Sequence, residues 1–164
     1  MLVLAIDVGL RVCGYVVCLA DKHDCRLLKE GEIKTRSTQG FGEKLKYIFD
    51  ELHKEIKTYE PKAIIIETLY SHYRHPTTLG ILAQVRGVVV LLARLCNIEL
   101  FEYSPTKARK SFLGRGNANS FQVKKMAENM TGRKFLSLHT ADAYSLVTAF
   151  SHTLKLRQLE VAAQ

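Results

Sequence analysis

Short apolar runs along the chain predict the strands of a sheet. Leu2 to Ile6 and Ala63 to Ile66 are wholly apolar, which is typical of strands that are buried on both faces. Val12 to Ala20, Arg26 to Thr35 and Ile98 to Tyr103 predict three more strands. Because only a few residues separate the first three runs along the chain, we expect antiparallel pairing among them.

Two longer segments predict helices between these strands. Before Pro61, an apolar residue recurs every three or four positions, at Leu45, Ile48, Phe49, Leu52 and Ile56. This spacing indicates an amphipathic helix, and the apolar strand after it predicts a crossover onto the same sheet. Residues 79–96 are apolar nearly all round, so we expect a helix that packs both on its own domain and on a partner.

The last third of the chain predicts further helices and completes the fold class. Ser104 followed by Pro105 is typical of a helix start, and two more helices are expected from about Ser120 and about Leu138. We therefore predict an α/β fold with a mixed five-stranded sheet flanked by helices. Residues 1–155 are expected to form one domain, with 156–164 as a C-terminal tail.

The composition excludes several classes of protein. An apolar share of 47% with 24% charged residues is that of a folded globular domain. No segment looks long and uncharged enough to cross a bilayer, and Asp7 and Arg11 interrupt the apolar start where a signal peptide needs an unbroken core. The four cysteines lack the spacing of a zinc site. We expect a cytoplasmic protein with reduced thiols and no membrane partner.

Positive charge is concentrated in one stretch of the sequence. Residues 104–134 hold eight Lys and Arg residues against Glu128 alone, which accounts for seven of the eight net positive charges of the chain. A basic helix face is usually just a solvated surface. A concentration over 31 residues instead favours a surface that binds a polyanion such as nucleic acid.

Two acidic residues stand where solubility does not explain them. Asp7 and Glu67 each end a run that is otherwise apolar. A carboxylate at the end of a buried strand is costly unless it meets a cation, several donors or a metal ion. The alternatives are an Asx-type turn at Asp7 and an ion pair between Glu67 and Arg86.

His139 and Asp142 form a second pair of candidate ligands. They are three residues apart, so on a helix they share one face, and the small residues Ala141 and Ala143 permit close packing on a sheet. Alone, His139 is an ordinary histidine and Asp142 a favourable charge near a helix start. Together with Asp7 and Glu67, they can hold two Mg²⁺ ions and leave positions for phosphate oxygens and water.

The motifs that carry these residues resemble the RuvC family of Holliday-junction resolvases. The matching segments are LAIDVGLRVCGY at 4–15, IETLY at 66–70, QVRG at 84–87, FEY at 101–103 and HTADA at 139–143. The resemblance spans nearly the whole chain and implies an RNase H-like fold. It further implies a homodimer that binds four-way DNA junctions and makes paired symmetric nicks by two-metal-ion phosphodiester hydrolysis, with Mg²⁺ or Mn²⁺, in recombination and repair.

The resemblance also assigns roles to individual residues. Asp7, Glu67 and Asp142 match three acidic metal-site positions of the family, and His139 occupies the fourth, where members carry Asp or His. Tyr70 matches an aromatic residue that stacks at the junction centre. Ser120 stands where many members have a lysine, a departure for which Lys124 is the nearest replacement. The residues expected to contact DNA are Tyr70, Arg74, Arg109, Lys110, Arg115, Lys124 and Lys125.

The remaining implications concern partners and competing functions. Residues 79–96 resemble the family's dimer-interface helix, and branch-migration helicase proteins are possible partners. Two other functions stay open at this point. One is a different RNase H-like nuclease that processes structured RNA, and the other is a junction-binding protein without cleavage, suggested by His139 and Ser120.

Overall fold

A computed structural model describes the chain at residues 1–69 and 75–162, with side chains described through residue 156. The elements follow one another as β1 (Leu2–Asp7), β2 (Val12–Ala20), β3 (Cys25–Lys34), α1 (Phe41–Tyr59), β4 (Ala63–Glu67), α2 (Pro76–Leu95), β5 (Glu99–Tyr103), α3 (Pro105–Leu113), α4 (Ser120–Thr131) and α5 (Leu138–Ala162). All five predicted strands are present, and the third is displaced by one residue at each end.

The strands form one mixed sheet in the order β3-β2-β1-β4-β5. The first three pair antiparallel, as the short connections predict, whereas β4 pairs parallel with both β1 and β5. A parallel pairing needs a long crossover, and α1 and α2 supply the two that are required. The prediction of a mixed five-stranded sheet flanked by helices is therefore confirmed.

Helices cover both faces of the sheet, which explains why β1 and β4 are apolar without alternation. Val3 and Ala5 of β1 join the hydrophobic core beneath α3, α4 and α5. Leu4 and Ile6 join a second core beneath α1 and α2. Because side chains alternate along a strand, Asp7 continues the row of Val3 and Ala5 and lies on the α5 face.

The ends of the helices are fixed by local signals. The side chain of Ser104 accepts a hydrogen bond from the backbone N–H of Lys107 at 3.1 Å, and Pro105 is the first residue of α3, as predicted. Asn119 and Gln122 form a capping box at the start of α4. The backbone of α5 continues as helix to Ala162, so most of residues 156–164 extend α5.

α2 begins at Pro76, three residues before the predicted start at residue 79. One of its faces is buried in its own domain, through Val85, Val89, Leu92 and Ala93, and the packing of the other face on a partner stays a prediction. By length and composition alone it is a candidate membrane span, with a mean hydropathy of 1.7. The expectation that no segment passes that test was wrong. Its buried face packs within the core of the α/β fold, and Arg86 pairs with Glu102 of β5.

Candidate active site

Asp7 and Glu67 lie side by side at one edge of the sheet. Each is the last residue of its strand, and the parallel register of β1 and β4 pairs Ile6 with Ile66, directly before them. Ala63 and Ile65 belong to the core beneath α5, so alternation places Glu67 on the same face as Asp7. The two carboxylates therefore project from neighbouring strands toward α5.

The first turns of α5 approach this edge very closely. Gly14 of β2 is the register partner of Asp7, and a Cβ built on Gly14 would lie 2.6 Å from both the backbone carbonyl carbon and the Cβ of His139. Only glycine therefore fits at this position with α5 where it is. The approach allows Nδ1 of His139 to donate a hydrogen bond to Oδ2 of Asp7 at 2.7 Å.

Asp142 enters the site one helical turn after His139. Its Oδ2 accepts a hydrogen bond from Oγ of Ser120, the first residue of α4, at 2.6 Å. Nη2 of Arg109, on α3, lies 3.4 Å from that same Oγ and 3.8 Å from Oδ1 of Asp142. Oδ1 of Asp142 and Nε of Arg109 are both buried and have no hydrogen-bond partner within the described part of the chain.

The crowding of carboxylates shifts their protonation. Burial, together with the charges of Asp7 and Asp142, raises the pKa of Glu67 to about 7, while Arg109 opposes this shift. Burial also raises the pKa of Asp142, against the hydrogen bond from Ser120. The hydrogen bond to Asp7 raises the pKa of His139. The site thus concentrates more negative charge than its own cations balance.

The residues present fit a hard divalent cation. Carboxylate oxygens are the ligands that such ions prefer, and the buried, unpartnered Oδ1 of Asp142 is an acceptor in need of a cation. As the side chains stand, residues 1–69 and 75–156 contain no group of three His, Cys, Asp or Glu residues that could hold a metal ion. The fit to a cation therefore rests on the kinds of donor present and not on a preassembled group of ligands.

The other predicted site residues have separate locations. Arg109 and Lys110 lie on α3, Arg115 in the following loop, and Lys124 and Lys125 on α4. Tyr70 and Arg74 are outside the described residues.

The alternative in which Glu67 forms an ion pair with Arg86 was wrong, because Arg86 pairs with Glu102 instead. Lys124 lies 3.8 Å from Glu128, one turn along its own helix, which gives no support to its replacing the family lysine at Ser120.

Sequence reasoning missed the contacts of Ser120 and Gly14. The sequence marks Ser120 only as a departure from the family lysine, yet its hydroxyl contacts a candidate ligand. Gly14 belongs to the segment LAIDVGLRVCGY at 4–15 and lies within the apolar strand β2. A glycine within an apolar strand signals close approach of another backbone, and this signal could have identified it.

Comparison with known proteins finds a family model and relatives that share one description. A family model described as crossover junction endodeoxyribonuclease RuvC matches residues 3–152 of the chain. A protein of Brachyspira hyodysenteriae with that description is 34% identical, and the match covers 91% of this chain and 92% of the relative. Another, from Chlamydia muridarum, is 30% identical over 97% of this chain and 96% of the relative.

Solved structures show the same fold. The structure of Thermus thermophilus RuvC matches with a TM-score of 0.81 and 22% identity, covering 96% of both chains. The structure of T. thermophilus RuvC in complex with a Holliday junction substrate matches with a TM-score of 0.82 and 20% identity, again over 96% of both chains. These matches confirm the predicted RNase H-like architecture.

Proposed function

The chain belongs to the RuvC family of crossover junction endodeoxyribonucleases, and on this premise we propose that it resolves four-way DNA junctions, with Asp7, Glu67, His139 and Asp142 as its catalytic residues. The observation that carries the assignment of these residues is their convergence. Two strand ends and the first turns of α5 bring three carboxylates and one imidazole to a single edge of the sheet.

The same residues are proposed to hold the metal. Asp7, Glu67, His139 and Asp142 would bind Mg²⁺, two ions to a site, with Mn²⁺ as a substitute. The raised pKa of Glu67 and the unpartnered Oδ1 of Asp142 support this proposal, since both reflect negative charge that a divalent ion would neutralise. When bound, such ions make water a stronger nucleophile and stabilise negative charge on the phosphate and on the leaving oxygen.

Residues of the chain itself would position the reacting groups. Arg109, whose Nη2 lies 3.8 Å from Oδ1 of Asp142, would bind a non-bridging oxygen of the scissile phosphate. In hydrolysis, a water molecule loses one proton as its oxygen bonds to phosphorus, the bond from phosphorus to the 3′-oxygen breaks, and that oxygen takes up a proton. The products are a 5′-phosphate and a 3′-hydroxyl, which a ligase can rejoin.

The basic residues of α3, of α4 and of the loop between them are proposed to hold the DNA backbone. Lys110, Arg115, Lys124 and Lys125 belong to the stretch that carries most of the net charge, and this stretch also contributes Arg109 and Ser120 to the site. Phe121, next to Ser120, is 74% exposed and offers a flat apolar face to an unstacked base. Tyr70 and Arg74 are proposed as further DNA contacts on the resemblance alone.

We further propose that the protein acts as a homodimer through the exposed face of α2. Leu91 and Leu95 on this face are 54% and 65% exposed. Exposed apolar residues grouped on one face are typical of a surface that binds another protein. A twofold dimer would present identical sites to the two equivalent strands of a junction. Because its substrate is cellular DNA, we also propose a cytoplasmic location and branch-migration helicase proteins as partners.

The test compares three labelled substrates, namely a four-way junction, a plain duplex and a structured RNA, each with Mg²⁺ and with EDTA. We expect paired symmetric nicks in the junction alone, and only with Mg²⁺. Binding of the junction without nicks in either Mg²⁺ or Mn²⁺ would refute the nuclease proposal for this chain. Preferential cleavage of the RNA would instead assign it to RNA processing.

A further inference from the structure

Ser120 connects two charged residues of the site through one hydroxyl group. Its Oγ donates a hydrogen bond to Oδ2 of Asp142 at 2.6 Å and accepts one from Nη2 of Arg109 at 3.4 Å. A serine hydroxyl has one donor and two acceptor positions, so both contacts are compatible. The capping box of Asn119 and Gln122 fixes the start of α4 and therefore the location of Ser120.

The two oxygens of Asp142 are consequently in different states. Oδ2 is committed to Ser120, whereas Oδ1 is buried and lacks a hydrogen-bond partner among the described residues. Nη2 of Arg109 is 3.8 Å from Oδ1, close enough for electrostatic attraction but too far for a hydrogen bond. A buried carboxylate oxygen without a donor is costly, so this one is poised to accept a cation.

We propose that Ser120 is a positioning residue, which holds Asp142 by Oδ2 so that Oδ1 is presented to the divalent cation. Arg109 partly balances the charge of Oδ1 from 3.8 Å. This inference rests on the proposed function, because it takes Asp142 to be a metal ligand. It gives the serine a role of its own at a position where the family resemblance implies a lysine.

Variants at position 120 distinguish an effect of the hydroxyl group from a general effect on the start of α4. Ser120→Ala removes the donor to Oδ2 but keeps a residue with high helix propensity. Ser120→Thr keeps a hydroxyl group and should rescue the effect of the alanine.

The experiment measures Mn²⁺ binding to the full chain without DNA, by titration calorimetry and by the electron paramagnetic resonance of free Mn²⁺. Loss of a residue that orients a ligand typically weakens metal binding by about 10- to 100-fold. We expect a weakening of about tenfold in Ser120→Ala and near wild-type binding in Ser120→Thr. Circular dichroism and thermal unfolding verify that each variant is folded.

Asp142→Asn distinguishes a failure of the proposed metal site from a failure of the proposed role of Ser120. If this variant binds Mn²⁺ like the wild type, Asp142 is not a metal ligand and the proposed site is wrong. If Asp142→Asn loses binding while Ser120→Ala retains wild-type affinity, only the role of Ser120 is overturned. Equal weakening in Ser120→Ala and Ser120→Thr would also overturn it, because the hydroxyl would then not be the cause.

Discussion

Nδ1 of His139 lies 2.7 Å from Oδ2 of Asp7, which ties the first turn of α5 to the last residue of β1. The contact depends on Gly14, whose missing side chain leaves room for the backbone of His139. A glycine in one strand, an aspartate in its neighbour and a histidine on a helix 125 positions beyond the glycine thus form one unit. Displacing α5 should therefore disturb the site as a whole.

Gly14→Ala tests this dependence. The new methyl group would lie 2.6 Å from the backbone of His139, so α5 must shift, and forced overpacking of this kind costs about 1–3 kcal/mol. We expect lower stability in urea denaturation and a loss of junction cleavage. Gly42→Ala is the matched control, because nothing lies within 4 Å of the added atom. If Gly14→Ala were as stable and active as this control, the close approach of α5 would have no functional importance.

Asp7→Asn tests the metal ligand while keeping size and shape. An amide cannot supply the negative charge that a divalent cation requires, so cleavage should fall by orders of magnitude. Junction affinity should be retained, since the basic residues of α3 and α4 are unchanged. Gel-shift and nicking assays on one labelled junction measure both quantities. Asp50→Asn, an exposed change on α1, is the control, and normal cutting by Asp7→Asn would refute the site.

Glu67→Gln tests the crowding of charge in the site. The pKa of Glu67 is raised from 4.5 to about 7. Between these two pH values, the folded protein holds a proton that the unfolded chain has already released. Its contribution to stability therefore falls as pH rises from 4.5 to about 7 and stays low above that range. Without metal, the stability gain of Glu67→Gln over wild type should grow by about 2 kcal/mol between about pH 5 and pH 8.

Urea denaturation in EDTA at the two pH values measures this gain, with Asp50→Asn as the control for a solvated carboxylate. Adding Mg²⁺ at the higher pH should stabilise the wild type more than Glu67→Gln, because the ion neutralises the charge that the variant lacks. A stability gain that is the same at both pH values would show that burial and neighbouring charges do not raise the pKa of Glu67.

The strand ends of the site could be predicted from the sequence because local pattern determines them. β1 and β4 are apolar runs that each end in one carboxylate, and this placement needs no knowledge of the rest of the fold. The helical spacing of His139 and Asp142 likewise implies a shared face. These short-range rules located Asp7 and Glu67, and together with the family resemblance they located His139 and Asp142.

The contacts between distant elements could not be predicted in this way. Ser120 meets Asp142 because α4 packs against α5, and no periodicity in either segment encodes that packing. The partner of Arg86 was misjudged for the same reason, since Glu102 and Glu67 lie on neighbouring strands of one sheet. The exposed face of α2 also required the structure, because apolar composition does not show which side is covered.

Leu91→Glu tests the proposed dimer. Leu91 is 54% exposed on α2, so a charge there should leave the fold intact but prevent burial of this face against a second copy. We expect the wild type to be a dimer in analytical ultracentrifugation and the variant a monomer that no longer makes paired nicks. Leu156→Glu, at a leucine of α5 that is 61% exposed, is the matched control. Dimers of unchanged affinity in Leu91→Glu would place the interface elsewhere.

Lys125→Ala tests whether α4 contacts the DNA backbone. Each phosphate that a protein neutralises makes the logarithm of the binding constant fall by about 0.9 per unit of the logarithm of salt concentration. Removing one such contact should therefore reduce the salt slope by about 1 and weaken binding to all junction sequences alike. Fluorescence anisotropy with labelled junctions over a range of salt concentrations measures the slope. Lys54→Ala, an exposed change on α1, removes the same charge on the opposite face of the sheet from α4. Because both variants change the net charge equally, an equal loss of slope in the two would mean that Lys125 acts only through net charge.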